Sequence, residues 1–178
     1  MGNRHSCTDA AEVAELGEGF LARTLPGARF SHREHLIVAS YLLASDPARD
    51  WRVELPEMIR AYNVAAGGVN DDVRGYHHTI TKAFLMIIEG ILAEVGRHDI
   101  VAACNAVLAS PATEKDALLR FWSREALFSR EARHGWIEPD LAELKLEPEK
   151  AAPLPDSIGR DCRSLTSRRG STDSSYDL

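Results

Sequence analysis

The sequence has few cysteines and no long apolar run. Its 178 residues include three cysteines, Cys7, Cys104 and Cys162, which lie far apart and form no Cys-x-x-Cys pair. This spacing excludes a zinc ribbon and a thioredoxin-like redox motif, and unpaired thiols are typical of a reducing cytoplasm. No apolar run approaches the roughly 18 to 20 residues that span a bilayer, and the N-terminal segment lacks the apolar core of a secretion signal. We therefore expect a cytoplasmic protein with no membrane partner.

Basic residues are also fewer than acidic residues. The chain has 21 lysine and arginine residues against 27 aspartate and glutamate residues, which gives a formal net charge of -6. Nucleic-acid binding depends on positive charge that faces the phosphates, so we expect no nucleic-acid partner. No lysine or serine follows residues 67–70 as a phosphate loop requires, and neither a nucleophile elbow nor a dinucleotide fingerprint occurs.

Helical periodicity dominates what is present. The most regular pattern predicts a central helix over about 75–95, and its apolar positions are Ile80, Phe84, Ile87, Ile88, Ile91, Leu92 and Val95. No pair of segments has the pattern of a strand hairpin. The sequence therefore predicts an all-α fold, a bundle of five or six helices.

Start and stop signals place the other helices. Ser31 followed by Glu34 is a capping box, which predicts that a helix begins there and continues to Asp46. Pro56 should interrupt the next helical region, because proline lacks an N–H donor and clashes with the preceding turn. The remaining predicted helices cover 9–25, 56–66, 99–109 and a stretch from 111 through Trp122 with Ser110 as its N-cap. A short helical piece over 48–53 and a short turn over 129–135, with Ser129 as its cap, are also predicted.

The composition changes near the C-terminal end of the chain. Prolines and charged residues are followed by a segment rich in serine, arginine and aspartate. Such a segment buries too little apolar surface to offset the entropy cost of ordering. We expect a helical bundle domain over 8–147 and a disordered tail over 148–178.

Histidines mark the candidate site. Four of the seven lie in two short segments, 30–36 and 76–81, and each segment opens a predicted helix. His32, His35 and His77 fall on the apolar sides of these helices. Burial and the positive end of the helix dipole both favour the neutral ring, which can ligate a metal ion or act as a base. Three histidines would leave a coordination position open, as in catalytic metal sites, so these residues are predicted to bind a divalent metal ion.

A structural role is the alternative for the same rings. A histidine in the first helical turn can hydrogen-bond a backbone carbonyl or a neighbouring tyrosine, and His35 can pair with Phe30 as a hydrophobic staple. In that case the three histidines stabilise the fold and bind nothing.

Four more residues are candidate ligand contacts. Tyr76 and His78 flank His77, and Thr81 lies four residues after His77 on the same side of the helix. The Thr81 hydroxyl can equally bond back to a helix carbonyl. Arg124 can hold a carboxylate or phosphate with two hydrogen bonds, with a surface salt bridge as its alternative role.

These segments resemble a family of small uncharacterised bacterial helical proteins. That family is marked by a Phe-x-His-x-x-His-aliphatic segment, a Tyr-His-Glu-Thr-aliphatic-Thr helix start, and an Ala-Arg pair ahead of an aromatic residue and Pro-Asp. The resemblance covers roughly residues 16–142, and the chain departs from it at His78, where the family has glutamate. It implies the helical fold and the positions of a site, but no activity. The matching residues here are Phe30, His32, His35, Leu36, Tyr76, His77, Thr79, Ile80, Thr81, Ala132, Arg133, Trp136, Pro139 and Asp140.

The sequence thus predicts a cytoplasmic helical protein with a histidine-lined pocket. The pocket would bind a divalent metal ion or a small polar molecule, and a metal-dependent enzyme is one form of this hypothesis. The alternative hypothesis is a non-enzymatic interaction module, suggested by the missing nucleophile and by the serine- and arginine-rich tail, which could order on a protein partner.

Overall fold

A computed structural model of the protein describes residues 8–144. Within that range the chain forms seven α-helices, three short 3-10 turns and no strand, which confirms the all-α bundle. The predicted tail, 148–178, lies outside the described residues. None of the described helices is long and apolar enough to cross a membrane. The helices are α1 (Ala10–Leu21), α2 (His32–Ser45), α3 (Trp51–Ala65), α4 (His78–Val95), α5 (Ile100–Ala109), α6 (Arg124–Leu127) and α7 (Arg130–His134).

Helix α1 begins next to Asp9, where its start is predicted, but it ends earlier than predicted. The Asp9 carboxylate accepts a hydrogen bond from the Glu12 N–H, 2.9 Å away. Arg23 adopts a left-handed φ of 58°, which ends the helix. The N–H groups of Thr24 and Leu25 then both donate to the Gly19 carbonyl. The predicted end near Leu25 was wrong because this turn carries the Leu25 side chain into the core, where it is buried.

A glycine lets α1 approach α2 closely. A Cβ atom on Gly17 would lie 2.2 Å from Cδ1 of Tyr41, far inside van der Waals contact. On Gly19, in the same helix, the nearest atom to an added Cβ would be Cβ of Leu25, at 3.5 Å. Gly17 therefore allows the two helices to pack, whereas Gly19 has no such role.

We expect Gly17→Ala to lower the free energy of unfolding by about 1 to 3 kcal/mol, because the Tyr41 ring has to move. Gly19→Ala is the matched control and should leave stability unchanged or raise it by about 0.5 to 1 kcal/mol, since alanine is the better helix former. Urea unfolding of both variants measures the difference. Equal stability of the two variants would contradict the close approach at Gly17.

Helices α2 and α5 share the centre of the main core. Leu36, Ile37 and Leu42 of α2 are almost fully buried, as is Cys104 of α5. The Cys104 thiol donates to the Ile37 carbonyl, 3.8 Å from it, and burial raises the pKa of this thiol to about 12. Cys104 is therefore an inert core residue at neutral pH, as its apolar surroundings in the sequence suggest.

Helix α3 is continuous, contrary to the predicted break at Pro56. The proline lies inside the helix, in its second turn. Its missing N–H removes a bond only to the Arg52 carbonyl. Burial of Trp51 and Leu55 holds the two sides of the proline together, and the Trp51 indole N–H donates to the Asp46 carbonyl at 2.9 Å.

Helix α4 packs against α2, α3, α5 and α7, as expected of a central helix. Its most buried side chains include Thr79, Ala83 and Ile88, whereas Val95, assigned to the apolar stripe, is exposed. The buried face is displaced from the predicted stripe because α4 is covered on two sides. One side faces the main core, and the other faces a second apolar cluster around Trp122.

The helix predicted from residue 111 through Trp122 is replaced by two 3-10 turns, Pro111–Thr113 and Ala117–Arg120. Ser110 caps the first turn as predicted, since its hydroxyl accepts from the Ala112 N–H at 3.2 Å. Trp122 is fully buried, and its indole N–H donates to the Ile137 carbonyl at 3.3 Å. Anchoring of this ring holds the segment in tight turns.

Candidate functional site

A cavity of about 330 Å³ lies between α2, α3 and α4. Its volume is at the lower end of the range of roughly 300 to 1,000 Å³ that is typical of small-molecule sites. Among the described residues, its polar lining is confined to two histidines and one threonine. The lining consists of Phe20, Phe30, His32, His35, Leu36, Val38, Ala39, Leu55, Ile59, Ile80, Thr81, Phe84, Leu85 and Ile88.

The predicted start of α2 carries both cavity histidines. The Glu34 carboxylate accepts from the Ser31 N–H at 3.0 Å, which completes the capping box. Arg33 donates to Glu12 of α1 at 2.7 Å, and this hydrogen bond holds the pKa of Glu12 below its usual range. The cap and the ion pair together fix the first turn of α2 and so fix its two imidazole rings.

Backbone carbonyls orient the two rings. Nε2 of His32 lies 2.9 Å from the Ala112 carbonyl oxygen, and Nδ1 of His35 lies 2.7 Å from the Ser31 carbonyl oxygen. His35 also stacks on Phe30, with ring centroids 3.8 Å apart, which confirms the staple contact predicted for it. His32 packs near Phe84, at 5.1 Å between centroids.

The surroundings of His35 favour its neutral form. Its side chain is exposed where the cavity meets the surface, but apolar atoms crowd the ring. This crowding lowers the pKa of His35 below its ordinary value, and the neighbouring His32 ring adds to the effect. The Ser31 carbonyl and the Glu34 charge oppose it.

His77 is buried, as predicted, but it does not line the cavity. It is the N-cap of α4, where its Nδ1 accepts from the Ile80 N–H at 3.4 Å. Its Nε2 is buried, with the Leu127 carbonyl near the ring but without a hydrogen bond of full geometry within the described residues. Burial, and then the nearby charge of Arg133, lower the pKa of His77 to about 4.

The three predicted metal ligands do not form one site. Within residues 8–144 no group of three or more His, Cys, Asp or Glu side chains is placed to hold a metal ion. The expected convergence of His32, His35 and His77 is therefore not found. The physical reason is that His77 caps its own helix, with the Arg133 charge and the Leu127 carbonyl beside its ring. Metal binding stays a prediction without support from this geometry.

Three of the four predicted ligand contacts lie together. The Tyr76 hydroxyl is 3.1 Å from Nδ1 of His78, and the Arg60 guanidinium lies 4.0 Å above the Tyr76 ring. Burial raises the pKa of Tyr76, while Arg60 and the Thr81 hydroxyl act in the opposite direction. Burial, followed by Lys82 and Arg60, lowers the pKa of His78. Thr81 alone among the three lines the cavity.

Arg124, the fourth predicted contact, lies elsewhere. Its side chain is exposed, and its guanidinium lies 5.4 Å from the Phe128 ring. It does not line the cavity. The structure gives no reason to include it in the site.

Two of the segments that carry the family resemblance, 76–81 and 132–140, contact each other in the fold. Arg133 donates to the Tyr76 carbonyl at 3.1 Å. The fully buried Thr79 hydroxyl donates to the Gly135 carbonyl at 2.7 Å and accepts from the Ile137 N–H at 3.3 Å. These bonds fix the start of α4 to α7 and the segment after it, so these residues have a structural role that is sufficient to explain their types.

Sequence reasoning placed parts of this wall, such as Phe84, on apolar helix faces but did not predict the cavity. Leu55 and Ile59 of α3 and Phe84 of α4 form much of its apolar surface. Their helical spacing predicts burial but does not distinguish a filled core from a cavity. Comparison with protein-family models, curated proteins and solved structures gives no match.

Proposed function

We propose that this domain binds a small, largely apolar molecule in the cavity between α2, α3 and α4. The observation that carries the proposal is a cavity of about 330 Å³ with two oriented imidazoles and a threonine hydroxyl in an otherwise apolar described wall. The space is partly open to solvent, and it is much larger than a single water molecule, which occupies about 30 Å³ in the liquid. A space of this size with a few fixed polar groups is the usual form of a ligand site.

The polar groups of this cavity come from two helices. His32 and His35 extend from α2, and Thr81 from α4. An apolar ligand would contact Phe84, Leu55 and Ile59 with its body and one or more of these three groups with a polar end. The sequence predicts a metal ion or a small polar ligand, whereas the mostly apolar lining favours a largely apolar one, and His77 lies outside the lining.

Filling the cavity should weaken binding. In Ala39→Phe the added ring occupies space next to the two histidines, so affinity for a neutral apolar probe such as N-phenylnaphthylamine should fall at least about tenfold, a change of roughly 1.4 kcal/mol. Ala93→Phe is the matched control, because Ala93 is exposed on α4 and does not line the cavity. Probe fluorescence measures the affinity, and circular dichroism checks that both variants remain helical.

Two outcomes would overturn the proposal. Equal probe binding by the wild type and Ala39→Phe would place the probe outside this cavity. Stoichiometric zinc, iron, nickel or manganese in protein purified without a histidine tag, lost in a His32→Gln variant, would favour the metal site over an apolar ligand.

A further inference from the structure

The two cavity histidines have their protons fixed by backbone carbonyls. A carbonyl oxygen only accepts hydrogen bonds, so the imidazole nitrogen next to it carries the proton. The proton is therefore on Nε2 of His32, facing Ala112, and on Nδ1 of His35, facing Ser31. In the neutral rings, Nδ1 of His32 and Nε2 of His35 are left as hydrogen-bond acceptors.

The third polar group can also accept. The Thr81 hydroxyl is close enough to Tyr76 to favour the ionised form of that phenol. A hydroxyl that donates to Tyr76 keeps its lone pairs for a ligand. The polar lining then carries hydrogen-bond acceptors on both α2 and α4.

Fixed positive charge is missing from the described lining, which contains no lysine or arginine. Glu34, beside His35, is the carboxylate on α2, and it pairs with Arg33 at 3.3 Å, so this pair supplies no net positive charge for an anion. Moving an ionised carboxylate from water into apolar surroundings without a cationic partner is costly. An anionic ligand would have to protonate an imidazole first.

From this arrangement we propose that the ligand is an uncharged apolar molecule with a hydrogen-bond donor, such as an aliphatic alcohol or a phenol, and that the corresponding carboxylate is rejected. This inference rests on the proposed function, because it names the class of molecule that the cavity takes. The acceptor nitrogens select for the donor, and the charge-free wall selects against the anion.

Three matched probes test the ligand class on the full chain. Octanol carries a donor, its isomer methyl heptyl ether has an acceptor only, and octanoate is an anion of similar length. At about pH 8, above the ordinary imidazole pKa of about 6.5, titration calorimetry should show octanol binding roughly 3- to 10-fold more tightly than the ether. The affinity for octanol should exceed the affinity for octanoate by at least about tenfold.

A double variant locates the selectivity. In His32→Leu/His35→Leu the acceptor nitrogens are removed while the side-chain volume is largely kept. The ratio of the affinity for octanol to the affinity for the ether should therefore approach unity. If the wild type binds the ether as tightly as octanol, or binds octanoate more tightly than octanol, the proposed ligand class is wrong. The cavity would then remain a ligand site for another class of molecule. Binding of none of the three probes to folded protein, together with no N-phenylnaphthylamine signal, would overturn the proposed function itself.

Discussion

Replacing Trp122 with alanine should lower the free energy of unfolding by about 3 to 5 kcal/mol, as large-to-small changes of buried aromatic residues do. The Trp122 side chain is fully buried. Its ring meets Trp136 edge to face, at 5.5 Å between centroids, and packs in the cluster with Ala83, Leu118 and Leu127. The variant loses this apolar surface and leaves a cavity beside α4. It also leaves the Ile137 carbonyl without the indole donor.

Phe128→Ala is the control for this change, because Phe128 is an aromatic residue whose side chain is 52% exposed. It should alter stability by less than about 0.5 kcal/mol, as is usual for surface substitutions. Urea unfolding followed by circular dichroism at neutral pH measures both variants. A loss of under 1 kcal/mol in Trp122→Ala (about a third of the smallest expected loss) would show that the second cluster contributes little to the fold.

Lowering the pH should destabilise the wild type by about 3 kcal/mol more than a His77→Gln variant between roughly pH 7 and pH 4, at about 1.4 kcal/mol per pKa unit. The pKa of His77 is about 4 in the folded protein, because the ring is buried and Arg133 lies near it. In the unfolded chain it returns to about 6.5. As pH falls the unfolded chain binds the proton first. The stability from a neutral His77 is therefore complete above pH 6.5 and is lost as pH falls toward 4.

The test compares the slopes of the free energy of unfolding against pH, because glutamine at the N-cap changes the stability itself at every pH. Groups near the His77 ring are Arg133 and His78, and both are retained in the variant. His98→Gln serves as a second control, because His98 is exposed and should leave the slope as in the wild type. Parallel stability curves for wild type and His77→Gln would mean that His77 titrates like an exposed histidine and is not held neutral by the fold.

Local signals determined much of the fold from the sequence alone. The predicted caps are Ser31 with Glu34, Ser110 and Ser129, and all of them act as caps. Asp9 and Asp99, at the predicted starts of two helices, cap those helices as well. Capping depends on a side chain and backbone N–H groups two or three residues away, so it can be read without knowledge of the rest of the chain. The burial of His77 and the contact of His35 with Phe30 are short-range inferences of the same kind.

Only the tertiary structure decided where each histidine acts. His32 reaches the carbonyl of Ala112, eighty residues along the chain, and His77 faces Arg133 and the Leu127 carbonyl. Pro56 stays inside a helix because Trp51 and Leu55 are buried on the core. Helical periodicity shows which face of a helix is apolar, but not which element packs against it or whether the two faces meet. The separation of His77 from the cavity, and the cavity itself, follow from how α2, α3 and α4 pack.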